Sequence, residues 1–106
     1  MTQIQLPVQT TLELNPDEVD TIATVGDPVK KGERFIRWQK RFVLTLKNGS
    51  NYNLDYATGR WLLKHLQTEW GKVFNRVRKY QTSEKVNRKG ETYEHKEVFW
   101  VYKLMN

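Results

Sequence analysis

The chain has 106 residues, no cysteine and a net charge of +6, from 18 Lys and Arg against 12 Asp and Glu. This length fits one domain, which we assign to residues 1–106, able to bury roughly two-thirds of its unfolded surface. The lack of cysteine excludes a disulfide framework, a thiolate zinc site and a thiol nucleophile. Four tryptophans and a 12% aromatic share are typical of a folded chain.

The charge is unevenly distributed along the chain. Residues 1–27 hold five acids and no Lys or Arg, whereas residues 28–106 hold all 18 basic residues and seven acids. The two segments therefore carry net charges of −5 and +11. The basic body predicts a polyanionic partner, and the acidic front predicts an internal competitor that docks on the basic surface and screens it.

The start of the chain has none of the features of a targeting segment. The stretch MTQIQLPVQ lacks the basic and apolar regions of a signal peptide. The longest apolar run, Val98–Tyr102, is far shorter than the ~20 residues that a membrane span needs. We therefore expect a cytoplasmic protein that does not associate with a membrane.

The first elements predicted along the chain are a strand and a short helix. Residues 3–14 alternate between apolar and polar side chains, which predicts a half-buried strand, and Pro7 indicates either an edge strand or a break near its start. Asn15 precedes a proline and two acids, a pattern typical of a helix N-terminus. We expect about two helical turns that end before Gly26, and a loop over residues 27–32.

The middle of the chain predicts a hairpin followed by the main helix. Arg34–Lys47 alternates as a long strand with one apolar and one basic face, and Asn48-Gly49 is a strong hairpin signal before a returning strand over residues 50–56. Residues 57–70 change to helical period, with a stripe formed by Leu62, Leu63, Leu66 and Trp70.

Two more strands complete the predicted fold. They span residues 73–82 and 92–104, with a polar loop over residues 83–91 and the last strand central in the sheet. The predicted fold class is α+β. It consists of a twisted antiparallel sheet of four or five strands, with one main helix (about 57–70) packed on one face and a short helix after strand 1.

Basic and aromatic residues interleave at residues 34–42 and 72–80. In the second segment, alternation places Phe74, Arg76, Arg78 and Tyr80 on one face. Such a face offers cations to phosphates and flat rings to bases. The alternative is that the aromatic residues belong to the core and the arginines are merely solvated.

The helix and the polar loop add further cations. The helix carries two cations at i, i+4, Arg60 and Lys64, and the loop forms a basic hairpin tip that enters a groove or only aids solubility. The full set of predicted nucleic-acid-binding residues is Arg34, Phe35, Arg37, Arg41, Arg60, Lys64, Lys72, Phe74, Arg76, Arg78, Lys79, Tyr80, Arg88 and Lys89.

The sequence contains no recognisable catalytic or metal-binding pattern. The acids near residue 17 lie in a predicted first helical turn, where the helix dipole explains them. His65 and His95 are the only histidines, both serines lie in predicted turns, and no hydrolase, zinc-protease or phosphate-loop motif occurs. We expect no catalytic residue, no metal and no cofactor.

Two functions remain open from the sequence. The first is a small non-catalytic nucleic-acid-binding domain with weak sequence preference, for DNA or RNA. The alternative is a protein-binding accessory or inhibitor module of phage or mobile-element type, acting on an acidic surface of a larger nucleic-acid-handling machine. The chain is expected to be a monomer or a small homo-oligomer, in the latter case through its alternating first strand.

Overall fold

A computed structural model describes residues 2–5 and 11–105. Its elements in chain order are β1 (Thr2–Gln5), β2 (Thr11–Leu14), β3 (Val19–Lys31), β4 (Arg34–Leu46), β5 (Asn51–Asp55), α1 (Tyr56–Thr68), β6 (Val73–Val86) and β7 (Thr92–Met105). Strands β3 to β7 form an antiparallel sheet in the order β5-β4-β3-β7-β6, and β1 pairs separately with β2. The predicted α+β class, with a five-stranded antiparallel sheet and one main helix, is confirmed.

The single strand predicted over residues 3–14 is wrong. This region forms two strands that pair with each other, with Thr2 opposite Leu14, while residues 6–10 lie outside the described part of the chain. The alternation of apolar and polar residues continues on both sides of the break. The period alone therefore does not distinguish one long strand from two short paired ones.

The helix predicted after this region is present only as one turn. Asn15 caps it as expected, because its side-chain oxygen accepts a hydrogen bond from the Asp17 N–H at 3.0 Å. The turn is a 3₁₀ helix over Pro16–Glu18, and the rest of the predicted helix and most of the predicted loop belong to β3. Five of the seven residues from 19 to 25 are β-branched, and they favour a strand paired with β4.

Strands β4 and β5 and helix α1 agree closely with their predicted bounds. Gly49 adopts a φ of +90° in the tight turn between the strands. Asp55 caps α1 by accepting the Thr58 N–H at 2.7 Å. Trp70, predicted to extend the apolar stripe, lies past the helix end and is 41% exposed. No helix within residues 2–5 and 11–105 combines the length and apolarity required to cross a membrane.

Strands β6 and β7 form a long regular hairpin. They pair without interruption from Val73 opposite Met105 to Val86 opposite Thr92. The strand predicted to end at Thr82 therefore continues to Val86, which shortens the predicted loop to residues 87–91. Strand β7 lies between β3 and β6, as its two partly apolar faces predict.

The main core lies between α1 and the sheet. The helix packs against β4, β5 and β3. The buried residues of this core are Leu14, Val19, Ile22, Phe42, Leu44, Leu46, Leu62, Leu66 and Leu104. Gly59 brings the helix close to the sheet, since a β-carbon built there would overlap the Phe42 side chain.

The β3–β4 and β6–β7 hairpins are joined by a short ladder. Strands β3 and β7 pair only from Thr21 to Ala23. Beyond this point Thr24 Oγ1 accepts the Trp100 N–H at 2.7 Å and donates to the Trp100 carbonyl at 3.2 Å. The Gln81 amide then accepts the Gly26 N–H at 2.8 Å and donates to the Gly26 carbonyl at 3.3 Å. Side chains thus replace the backbone ladder where the hairpins separate.

A second cluster of aromatic residues packs between the separated hairpins. The Trp38 ring lies edge-on to Phe99 at 6.4 Å between centroids and contacts Phe35 at 5.0 Å. A shift in the β3–β4 register after Val29 turns Phe35 to the same side as Trp38. Phe35 is 5% exposed and Ile36 is 37% exposed, the reverse of the simple alternation predicted for this strand.

The close approach of helix α1 to Phe42 at Gly59 predicts that an added methyl group destabilises the protein. Gly59→Ala should lower the free energy of unfolding by about 1–2 kcal/mol, because overpacking against the Phe42 ring and Cβ outweighs the better helix propensity of alanine. Urea denaturation measures this change. Gln67→Ala, at an exposed position of the same helix, should stay within about 0.5 kcal/mol of the wild type. Wild-type stability of Gly59→Ala would contradict the packing described.

Two carboxylates predict how stability depends on pH. The ion pair with Lys72 lowers the pKa of Asp17, and hydrogen bonds from Thr58 lower the pKa of Asp55. An interaction that lowers the pKa of a carboxyl group stabilises the folded state fully above the pKa of the unfolded state, which is 3.8. This stabilisation is lost as the pH falls through the lower pKa of the folded state. Asp17→Asn should therefore reduce the unfolding free energy at neutral pH but not below the folded pKa, as denaturant titrations across pH would show. An equal difference at all pH values would contradict the ion pair.

Candidate nucleic-acid interface

Helix α1 covers only part of the sheet face on which it lies. It packs on β3, β4 and β5, whereas β7 and β6 extend beyond it. Tyr102 lies opposite the buried Ile22, so its side chain points to the helix-bearing face. Arg76 lies opposite Tyr102 and Arg78 lies opposite Trp100, which places both arginines on this same uncovered area.

A groove of about 580 Å³ runs along the boundary between the helix and the uncovered strands. Its sheet side is formed by Thr24, Phe42, Trp100 and Tyr102. Its helix side is formed by Tyr56, Ala57, Arg60, Trp61, Leu63, Lys64 and Gln67. None of these lining residues is acidic.

Trp100 connects the groove to the arginines of β6. The Arg76 Cζ lies 4.1 Å and the Arg78 Cζ 5.3 Å from the centroid of the Trp100 ring. Cation–π attraction of this kind holds a guanidinium over an aromatic ring while its N–H donors remain available to an anion. We call Arg60, Lys64, Arg76, Arg78 and Trp100 together the basic groove.

The helix side of the basic groove contains further cation and ring contacts. The Arg60 Cζ lies 5.7 Å from the Tyr56 ring centroid. The rings of Trp61 and His65 stack at 4.7 Å between centroids with an interplanar angle of 12°. Lys64 is exposed one helical turn after Arg60. Arg60, Lys64 and the Tyr56 ring therefore lie on the helix side of the groove, and the arginines of β6 lie beside Trp100 on its sheet side.

Tyr80 lies beside Arg78 at the edge of the sheet and is 47% exposed. Its hydroxyl accepts a hydrogen bond from the Arg78 guanidinium at 3.2 Å, and the Lys96 Nζ lies 4.2 Å from its ring centroid. The hydrogen bond from Arg78, together with the charges of Arg78 and Lys96, lowers the pKa of the phenol. The positive potential of the groove thus extends to this ring.

The cations of the basic groove have no carboxylate partner among the described residues, whereas three other cations have one. Within the described residues, Lys72 pairs with Asp17, Arg41 with Asp27 at 2.7 Å and Lys40 with Glu97 at 3.4 Å. The ion pairs of the same residues include none from Arg60, Lys64, Arg76 or Arg78. The acidic front thus neutralises Lys72 and Arg41, as an internal competitor would, but leaves the basic groove open.

Several predicted site residues lie away from this groove. Arg37, Arg41 and Lys79 point to the opposite face, because each alternates with residues of the helix-bearing face. The Arg34 guanidinium donates to the Val86 carbonyl at 3.2 Å, where the ends of the two long hairpins meet. The basic side chains predicted from the two strands therefore do not all converge on the groove.

The remaining predicted residues are at the hairpin tip or in the core. Arg88 and Lys89 lie in the turn after β6, where Asn87 Oδ1 accepts the Lys89 N–H at 2.9 Å. Phe35 is buried beside Trp38, and Phe74 packs against the main core. Because neither ring is offered to a partner in this arrangement, Tyr80 is the predicted stacking ring that remains exposed.

Three contributors to the site were not among the predicted residues. Trp100 forms its floor, and Tyr56 and Lys96 extend its aromatic and cationic surface. Their strand and helix positions were predicted, but the pairing of Arg78 with Trp100 depends on the register between β6 and β7. A hairpin register counted back from the Asn87–Glu91 turn would have revealed this pair.

The described residues contain no group of three or more His, Asp or Glu side chains arranged to hold a metal ion. Comparison of the chain with models of known protein families, with curated proteins and with solved structures found no match. The functional assignment therefore depends on the geometry and charge of the groove.

Proposed function

We propose that this chain is a non-catalytic nucleic-acid-binding domain, and that the basic groove is where the nucleic acid lies. The observation that carries this proposal is the placement of four cations, none in an ion pair among the described residues, at one groove. Arg60 and Lys64 line it, and Arg76 and Arg78 lie over the ring of Trp100, which also lines it. Like charges placed together repel one another, and a row of phosphates supplies the missing negative charge. Displacement of the counterions condensed on the nucleic acid adds to the affinity.

The chemistry of the groove favours a ligand that combines phosphates with flat bases. Guanidinium planes and exposed tyrosine rings accept stacked bases, and the rings of Tyr56 and Tyr80 are both exposed. Stacking of this kind discriminates weakly between bases. Helix α1, which borders the groove, packs on the sheet, so it is not a free recognition helix for a major groove. We therefore expect weak sequence preference.

An acidic protein surface is the alternative partner for the same cations. Carboxylates engage guanidinium groups but do not stack on rings. Nucleic-acid binding therefore predicts that an oligonucleotide competes for the groove more strongly than polyglutamate when both supply the same concentration of negative charge. Stronger competition by polyglutamate would indicate that the groove binds an acidic protein.

Binding to labelled single- and double-stranded oligonucleotides, measured by fluorescence anisotropy across salt concentrations, tests the proposal. Arg60→Gln combined with Arg78→Gln removes one cation from each side of the groove. This variant should weaken binding and reduce the slope of log K against log salt by about 1.4–1.8, because each phosphate contact contributes about 0.7–0.9.

The opposite face provides a matched control. Arg37→Gln combined with Lys79→Gln also removes two charges, from residues outside the groove. It should change the salt slope by much less than the groove variant. Equal effects of the two variants would indicate that net charge alone attracts nucleic acid, and absence of binding by the wild type at ~50 mM salt would overturn the proposal.

A further inference from the structure

Strand β6 presents a long unpaired edge. It pairs over 14 residues with β7 on one side, and no described strand pairs with it on the other. The ladder with β7 has no bulge that would twist the edge away. An edge this long and regular is a template for pairing with a further strand.

The direction of the backbone groups along this edge follows from the hairpin turn. The Asn87 N–H donates to the Glu91 carbonyl at 2.9 Å, so this pair is hydrogen-bonded within the hairpin. Because hydrogen-bonded pairs alternate along an antiparallel ladder, the even-numbered residues of β6 direct their N–H and C=O groups outward. The Val86 carbonyl accordingly accepts a hydrogen bond from Arg34 rather than from β7.

Glu84 and Arg76, two charged residues on the same face of this strand, have no oppositely charged partner within the described chain. Glu84 lies directly opposite Glu94 in the β6–β7 ladder, where like charges are destabilising. Arg76 forms no ion pair among the described residues. The two side chains point to the same face but are eight residues apart, or about 26 Å, so they cannot meet within one chain.

We propose that a second copy of this chain pairs with β6 in antiparallel orientation, about a two-fold axis at Tyr80. This register places Arg76 opposite the partner's Glu84, and by symmetry Glu84 opposite the partner's Arg76. Even-numbered residues lie opposite even-numbered residues throughout, so the backbone N–H and C=O groups that point outward on one copy face those of the other. The strands overlap from Arg76 to Glu84 in one continuous ten-stranded sheet, and the overlap ends before Val86, whose carbonyl accepts the hydrogen bond from Arg34.

Neighbouring registers fit less well. An axis at Lys79 places two lysines opposite each other, and an axis at Arg78 does the same with two arginines. An axis at Gln81 places Arg78 opposite the partner's Glu84, but it shortens the overlap, leaves Arg76 without a carboxylate and places Val77 opposite the partner's Lys85. With the axis at Tyr80, no two like charges are directly opposite.

The dimer pairs Arg76 of the basic groove with the partner's Glu84 but leaves the other three groove cations without a carboxylate partner. A two-fold axis perpendicular to the sheet leaves both basic grooves on the same side. Arg60, Lys64 and Arg78 of each copy gain no carboxylate directly opposite them, since Arg78 lies opposite the partner's Thr82. The dimer is therefore tested without nucleic acid present, and its failure leaves the proposed function unaffected.

Sedimentation velocity of the full chain over a wide range of protein concentrations tests this interface. The wild type should show a concentration-dependent dimer. Glu84→Arg and Arg76→Glu should each shift the equilibrium towards monomer by at least tenfold in dissociation constant, because each creates two like-charge pairs across the axis. The double variant Arg76→Glu with Glu84→Arg should restore the dimer.

Lys85→Glu is the matched control, because it changes the charge by as much as Arg76→Glu but its residue lies opposite the partner's Asn75. It should retain the dimer, and circular dichroism should show that every variant is folded. A wild type that stays monomeric throughout, single reversals without effect, or a double variant that remains monomeric would each overturn the proposed register.

Discussion

The arrangement of the whole molecule depends on the narrow junction between its two long hairpins. Three backbone pairs join β3 to β7, and the Thr24 hydroxyl then takes over by bonding both the N–H and the carbonyl of Trp100. Because the hairpins separate beyond this point, Phe99 packs between them, whereas Trp100 points to the opposite face. The junction thus fixes the position of the Trp100 ring, over which Arg76 and Arg78 lie. It also leaves β6 and β7 uncovered by the helix.

Pairing of charges within the chain determines which basic surface remains for a partner. The acidic front supplies Asp17 to Lys72 and Asp27 to Arg41, so part of the basic surface is neutralised internally. The arginines beside Trp100 contact its ring and the Tyr80 hydroxyl and form no ion pair among the described residues. Since these contacts leave guanidinium donors unused, the surface keeps both the charge and the hydrogen-bonding capacity that a polyanion requires. Total charge alone would not distinguish this surface from the opposite face.

Period and capping signals predicted much of the fold, and long-range pairing accounts for most of the differences. The bounds of β4, the Asp55 cap and the common face of Arg76 and Arg78 follow from local patterns. The extended β3 was missed because its β-branched residues follow a strong helix-start signal at Asn15, and pairing with β4 decides the outcome. Simple alternation along β4 places Phe35 on the face opposite to Trp38, which is wrong because the period does not reveal a register shift between strands. Trp100 entered the site through a cross-strand pair that only the register specifies.

The central claim is that nucleic acid meets the protein at the groove beside Trp100 rather than at any basic surface. Titration of an isotopically labelled chain with an oligonucleotide, followed by NMR of the arginine and tryptophan side chains, tests this claim most directly. The account predicts that the side-chain signals of Arg78, Arg60 and the Trp100 indole shift together with saturation, while those of Arg37 and Arg41 stay in place. Shifts confined to Arg37 and Arg41, or spread evenly over all arginines, would contradict it.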